Sequence, residues 1–533
     1  MPASQPVIAP DRSIRLGTTR RQFLTWSALV GAAAATPSLL GAPVASAQGF
    51  GSLGGSAYPF TLGVASGDPL PDAVVIWTRL APDPLEPGGG MPALPISVRW
   101  EVAEDERFAV VVAGGKAWAH PESAHSVHVD VRGLAPRRTY FYRFHALGHT
   151  SAVARTTTLP AMAHLAFAWA SCQAWHDGYY TVYDDMAAQD LDVVFHLGDY
   201  IYEGELKNTS VRDVSRLSPQ VRKETEALDD YRLRYSLYKS DPSLQAAHAV
   251  APWVVTMDDH EVDNNWAASV SQDDDDPVQF LQRRAQAFRA WWEHTPTRIT
   301  APTGPDMTIY RRIGFGDLAE FSVLDTRQYR SDQANGDGEH EQNEQTADPA
   351  RTITGQAQES WILDGLAASR ATWNVLAHQT VMTDLARENG GVRTVGMDGW
   401  SGYEASRHRV LGGARERGVS NLMSIVGDIH RTVVAELRED YRTQSPVVGV
   451  EIAGTSIASA KDGEDVDDAH REFAAANPSI KFGNKQRGYV HTVVTREQWQ
   501  STMRVTDRVT EPGHPTTTRA MVTVPAGRPE IQV

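Results

Sequence analysis

Hydrophobic and polar positions change rhythm along this chain. Over residues 60–159, short runs such as Ile96-Ser97-Val98-Arg99-Trp100-Glu101-Val102 and Ser126-Val127-His128-Val129-Asp130-Val131 alternate apolar with polar side chains, which predicts half-buried strands. Pro82, Pro84 and Gly88-Gly89-Gly90 punctuate them, and Gly133-Leu134-Ala135-Pro136 makes a turn ahead of the Tyr-rich strand at 140–144. Residues 58–160 are therefore assigned to a small fibronectin-like β-sandwich domain. It holds no cluster of catalytic residue types and is expected to pack against and orient the rest. From residue 164 the apolar runs become unbroken, at 165–170, 192–197, 253–257, 318–324, 373–377, 422–426 and 447–452, as in strands buried on both faces. Helical stretches alternate with them. One covers 180–188; another opens at Pro277 behind Asp273-Asp274-Asp275-Asp276, carries Phe280, Leu281, Phe288, Trp291 and Trp292 at helical spacing, and stops at Pro296. This is α/β texture, and residues 164–525 are assigned to one catalytic domain. A polar loop is expected at 331–354 and a return to strands at 489–524.

The amino terminus follows a different logic. Thr19-Arg20-Arg21-Gln22-Phe23-Leu24, the apolar run to Leu40 and the small residues Ala45-Ser46-Ala47 make residues 1–47 a twin-arginine signal peptide, so the Tat export machinery is an expected partner and the product is secreted. The 533-residue chain carries 66 acidic and 50 basic residues, a formal charge of −16. Loss of residues 1–47 removes four arginines and one aspartate, which leaves −19 on the mature protein. No nucleic-acid binding surface is expected at that charge. A soluble monomer is expected, since no other stretch is long and apolar enough to span a membrane. Cys172 is the one cysteine, so no internal disulfide can stabilise the exported chain.

Ligands of layered α/β domains gather where strands end. The buried runs end in Ser171-Cys172-Gln173, Gly198-Asp199-Tyr200-Ile201-Tyr202, Asp258-Asp259-His260-Glu261, His378 and Gly427-Asp428-Ile429-His430. Carboxylates are almost never buried without a partner, and a metal cluster supplies one. Thiolate, phenolate and imidazole suit a Lewis-acidic, redox-capable ion such as ferric iron, whereas several carboxylates suit a hard divalent cation such as calcium or magnesium. In Gly-Asp-x-x-Tyr, Asp199 and Tyr202 share one turn, so Asp199 can bridge two ions. Such a cluster makes hydroxide from water and holds phosphoryl oxygens in line with it.

Gly198-Asp199-x-x-Tyr202, Asp259-His260-Glu261, Val375-x-x-His378 and Gly427-Asp428-x-His430 resemble the calcineurin-like metallophosphoesterase motifs in the form used by purple acid phosphatases. The whole mature chain resembles the alkaline phosphatase D family more closely, through Leu62-Gly63-Val64-Ala65-Ser66-Gly67-Asp68-Pro69, Trp169-Ala170-Ser171-Cys172-Gln173, the run from Asp258 to Trp266, and Leu324-Asp325-Thr326-Arg327-Gln328-Tyr329-Arg330. The resemblance implies a four-layer αββα metallophosphoesterase sandwich behind the front domain, with Fe(3+) and Ca(2+) as cofactors. Carried over by position, Cys172, Asp199, Tyr202 and His430 are the iron ligands, and Asp199, Asp259 and Asp428 reach calcium. Asp259 and Asp428 replace the Asn and His of the wider superfamily, which favours calcium over zinc. His378 is open either to ligation or to holding a ligand in place. His260 is expected to act on the phosphate or leaving group, and Arg234 and Arg327 are candidate phosphate clamps beside Arg232.

The implied reaction is in-line attack of a metal-bridging hydroxide on a phosphate monoester or diester, with an alkaline optimum. A phospholipase D-like phosphodiesterase using the same site, with phospholipid as substrate, is the first alternative. A serine esterase is a second, because Gly454-Thr455-Ser456-Ile457-Ala458 resembles a nucleophile elbow, with Asp465 and His470 following. A non-catalytic surface-binding protein built on the sandwich is a third. Gln333-x-Asn335-x-Asp337-Gly338 with Glu344 imitates a calcium loop but lacks its leading acid.

Overall fold

The structure, a computed structural model, describes residues 57–159 and 163–533. The export signal expected at 1–47 lies outside the described residues. Among them, no helix is long and apolar enough to cross a membrane.

Two large sheets lie at the centre. The nine-stranded sheet runs Thr516–Pro525, Gln498–Thr506, Arg487–Thr495, His164–Ala170, Val193–His196, Trp253–Val255, Val64–Gly67, Ala73–Arg79 and Ser126–Arg132. The seven-stranded sheet runs Arg311–Phe315, Ala319–Val323, Trp373–Ala377, Leu422–Val426, Val447–Ala453, Thr432–Arg438 and Ile480–Asn484. Phe167, Trp169 and Phe195 from the first sheet meet Phe321, Val375, Ile425 and Ile452 from the second, and Phe195 stacks on Phe321 at 4.5 Å. The alternate residues Ala168, Ala170, Val194 and Val255 face the other way, onto helices Thr181–Ala187, Leu228–Lys239, Pro242–His248 and Pro277–His294. On the far side, Leu376 and Leu422 pack against Gln356–Ala368 and Glu404–Glu416. The order helix, sheet, sheet, helix is the expected four-layer sandwich. It also explains the unbroken apolar runs, because each central strand buries both of its faces.

The helix expected from Pro277 spans Pro277–His294, and Asp276 caps it by accepting from the N–H groups of Val278 and Gln279. The front sandwich pairs the sheet Val111–Ala119, Ile96–Ala103, Thr139–Ala146 and His149–Thr150, with Ala154–Thr157 alongside, with the three strands Val64–Gly67, Ala73–Arg79 and Ser126–Arg132. Those three also close the end of the nine-stranded sheet, so front and rear share a sheet. The seam is Gly67, which pairs in parallel with Trp253. A Cβ there would lie 2.0 Å from the Pro296 carbonyl and 2.6 Å from that of Trp253, so glycine permits the approach. Asp68 then accepts from Thr297 Oγ1 at 2.9 Å and from Nε and Nη2 of Arg311 at 3.0 and 2.8 Å.

Candidate metal centre

Parallel pairing aligns the strand ends. His164–Ala170 pairs with Val193–His196, which pairs with Trp253–Val255; in the second sheet Trp373–Ala377 pairs with Leu422–Val426, all in parallel. Their carboxyl ends therefore open on one edge of the sandwich. There the backbone turns sharply: Cys172, Asp199, Asp428 and His430 all sit in the left-handed region, at φ 58°, 56°, 63° and 51°. Each conformation costs free energy for a residue with a Cβ, and such positions collect at functional sites. Glycines make room beside them. At Gly198, with φ 108°, a Cβ would stand 2.4 Å from that of Asp258; at Gly427 it would stand 2.3 Å from Ser171 Oγ.

Two donor groups result. Cys172, Asp199 and His430 place ligand atoms within 4.8 Å of one another, as do Asp199, Asp259 and His260, so Asp199 belongs to both. Tyr202 joins the first, its Oη donating to Asp199 Oδ2 at 2.9 Å and lying 3.1 Å from His430 Nε2. Burial pushes the Cys172 thiol well up and Asp199 pushes it further; burial and then Asp199 and Cys172 do the same to Tyr202. Asp428 is pushed up to about 6, first by burial and then by Asp398 and Asp259. His430 is lowered to about 3 by burial and then by Arg487, which leaves a neutral imidazole. These groups oppose one another's ionisation; among the described residues the buried Asp199 Oδ1 has no hydrogen-bond partner, and Asp259 Oδ1 has only the Arg327 guanidinium 3.4 Å away. Bound cations would satisfy both the charge and these oxygens, so the residues present fit a metal cluster.

The surroundings hold these donors in place. Glu261, fully buried, accepts from the N–H groups of Asp199 at 3.1 Å, Tyr200 at 2.5 Å and Asp258 at 2.7 Å, tying two ligand turns together. Arg327 bonds Asp258 at 2.6 Å, grips Asp398 through two 2.9 Å bonds and lies 3.4 Å from Asp259. His260 rests its ring on that of Tyr202, 4.1 Å between centroids, and its Nδ1 meets Glu203 Oε2 at 2.7 Å. Burial opposes a charged His260, but Glu203, Asp259 and Asp199 outweigh it and hold the imidazolium well above its usual range.

Other candidates stand elsewhere. Arg234 directs its guanidinium at the main-chain carbonyls of Tyr202, Gly204 and Lys223, so it braces the ligand turn from behind instead of facing a phosphate. Arg232 pairs with Glu293. His378 belongs to neither donor group: its Nε2 lies 3.0 Å from Ser424 Oγ, which donates to Glu451. Asp428 lies beside the cluster, in electrostatic contact with Asp259, without entering either compact group. The calcium-loop mimic does not converge, since Asp337 accepts from Asn265 and Gln333 donates to Asp398. The elbow fails as well: Ser456 Oγ donates to the Ser459 carbonyl, and Asp465 pairs with Arg519. Glu203, Asp398 and Ser459 had no motif to announce them.

The family profile "PhoD-like phosphatase" matches residues 167–503, its N-terminal domain matches 45–160, and the twin-arginine signal sequence matches 17–37. Alkaline phosphatase D of Bacillus subtilis (strain 168) is 46% identical over 471 residues, which is 87% of this chain and 80% of that protein. A solved structure described as "Structure of PhoD" superposes with a TM-score of 0.86 at 45% identity, covering 90% of this chain and 92% of the other. With the signal, both family domains and the clustered donors in one chain, this protein belongs to the PhoD-like phosphatase family and is an exported phosphoesterase.

Proposed function

We propose that Cys172, Asp199, Tyr202 and His430 hold a ferric ion, that Asp199, Asp259 and Asp428 hold calcium, and that this centre hydrolyses phosphate monoesters and diesters. The observation that carries the proposal is Asp199, common to both donor groups and with one buried oxygen left without a partner. When bound, the ions supply Lewis acidity toward water and phosphoryl oxygen and neutralise charge on phosphorus. The chain's own residues do the rest. Glu261 and Arg327 fix the turns that present Asp199 and Asp259, the residues that would hold the ions. His260, with Nδ1 engaged by Glu203, has Nε2 left to carry a proton to the departing alcohol. A monomer is the working unit of this reading. Residues 58–160 brace the far edge of the sheet, and 164–525 carry the chemistry.

The test is metal analysis of the exported protein, with rates on a monoester, a diester and phosphatidylcholine before and after calcium removal. Iron and calcium should co-purify, and chelation should abolish ester hydrolysis, whereas His470→Ala, which would disable a serine esterase, should retain it. Phosphatidylcholine turned over faster than the simple esters would identify a phospholipid diester as the substrate. Full activity in an iron-free, chelated protein would refute the assignment.

A further inference from the structure

The segment that resembles a nucleophile elbow has another use. After the strand Val447–Ala453 it turns back across the metal centre, and Ser456 Oγ locks the turn by donating to the Ser459 carbonyl at 2.9 Å. Its backbone grips the first ligand segment. Ile457 N–H donates to the Ser171 carbonyl at 3.1 Å, and the N–H groups of Ala458 and Ser459 donate to the Cys172 carbonyl at 3.4 and 3.3 Å. The Ser459 side chain, 1% exposed, reaches the second: its Oγ accepts from Ala174 N–H at 2.9 Å and stands 2.8 Å from Tyr202 Oη.

A hydroxyl has one proton to give. With the Ala174 N–H on a lone pair of Ser459, that proton is directed at the Tyr202 oxygen. We infer that Ser459 is a positioning residue of the metal centre, whose hydroxyl donates a hydrogen bond to the Tyr202 oxygen and holds it as an anionic donor beside Cys172. This rests on the reading of Tyr202 as a ligand. Once Tyr202 Oη is deprotonated it can no longer donate to Asp199 Oδ2, and it becomes a pure acceptor. Hydrogen bonds to an ionised oxygen are roughly twice as strong as neutral ones. Donation from Ser459 keeps that oxygen ionised and in place, and by stabilising the phenolate's lone pairs it also raises the energy of any phenolate-to-metal charge transfer. The two serines thus have separate duties: Ser456 shapes the turn, and Ser459 tunes a ligand.

A purely structural role for Ser459 would act through Ala174, whose N–H loses its acceptor when the hydroxyl is removed. The test separates the two. Ser459→Ala, Ser459→Thr, Tyr202→Phe and the double variant Tyr202→Phe/Ser459→Ala are purified as exported holoenzymes; the visible band and the rate of iron loss to a competing chelator are measured. Ser459→Ala should move the band to longer wavelength and speed iron loss on the order of tenfold. Ser459→Thr, which keeps the hydroxyl, should preserve both. In the Tyr202→Phe background, Ser459→Ala should change iron loss by less than about twofold, because the acceptor oxygen is already gone. An unmoved band in iron-loaded Ser459→Ala, or an equal acceleration of iron loss in the Tyr202→Phe background, would overturn the inference while leaving the metal assignment intact. A wild-type holoenzyme without a visible band, or one whose band survives Tyr202→Phe, would remove the metal assignment itself and the inference with it, before Ser459 is altered.

Discussion

Glu261→Gln should damage both stability and catalysis, although the side chain touches neither substrate nor ion. In the fold, Glu261 Oε2 accepts from Asp199 N–H and Asp258 N–H, and Oε1 accepts from Tyr200 N–H, with the carboxylate fully buried. Glutamine keeps one oxygen and puts an NH2 group at the other position. The less harmful orientation leaves the oxygen to Asp199 and Asp258 and turns the amide against Tyr200 N–H, so one buried donor loses its acceptor, at about 1–3 kcal/mol. Burial raises Glu261 to about 7, so above that pH the two remaining bonds also lose the charge of their acceptor, and ionic hydrogen bonds are roughly twice as strong as neutral ones. Together these give a loss of about 2–4 kcal/mol. Because the bonds fix the turn that presents Asp199 at φ 56°, activity should fall on the order of 10–100-fold, the usual cost of losing a group that orients a metal ligand. Guanidinium unfolding of the metal-free protein reads the first quantity, and kcat/KM at saturating calcium reads the second. A variant within about 0.5 kcal/mol of wild type that also retains full activity would refute the reasoning, since surface-like substitutions fall in that range.

Three further outcomes follow from the same structure. Burial, ahead of every other influence, lowers His128 to about 4 and His196 and His378 to about 3, so the unfolded chain takes up protons first as pH falls below 6.5. Unfolding free energy should therefore drop between pH 6.5 and 4 by up to about 1.4 kcal/mol per pH unit for each histidine, and His196→Gln should flatten the slope of guanidinium midpoints measured at pH 7, 6 and 5. Lys239, buried over the rings of Trp77 and Tyr200, is lowered to about 7 by desolvation, while an unfolded lysine keeps its proton to about 10.4; stability should thus rise from pH 7 to 10, and Lys239→Met should abolish that rise. Gly198→Ala places a methyl group 2.4 Å from Asp258 Cβ at a positive φ, so it should lose most calcium-dependent activity; an alanine variant with wild-type kcat would show that the two ligand turns can separate freely.

Much of the site was legible because chemistry had to appear at strand ends, and strand ends are visible as the close of an apolar run. The candidate donors Cys172, Asp199, Tyr202 and Asp259, which the structure brings together, are marked that way. Side-chain direction is not. His378 ends its strand as expected, but its ring turns toward Ser424 and Trp400, on the side of the second helix layer, and spacing alone does not distinguish the two faces of a strand end. The direction of Arg234, toward main-chain carbonyls, is hidden for a related reason. The helix Leu228–Lys239 buries Asp230, Arg234, Ser236 and Lys239 together with its apolar residues, so it has no polar stripe to mark it as a helix or to show where the guanidinium goes. Glu203 and Ser459 sit 57 and 257 positions from their partners His260 and Tyr202, a separation no local pattern bridges. The shared sheet was hidden likewise, because the parallel pairing of Gly67 with Trp253 rests on the close approach of two backbones.

The central claim is that one carboxylate, Asp199, joins an iron site to a calcium site. It is tested most directly by anomalous scattering from crystals of the exported protein, recorded above and below the iron absorption edge. One iron peak should lie within bonding distance of Cys172 Sγ, Asp199, Tyr202 Oη and His430, with a second, non-iron cation sharing Asp199 with Asp259. An iron peak away from Cys172 and Tyr202, or a single ion that leaves Asp259 without a ligand role, would contradict it.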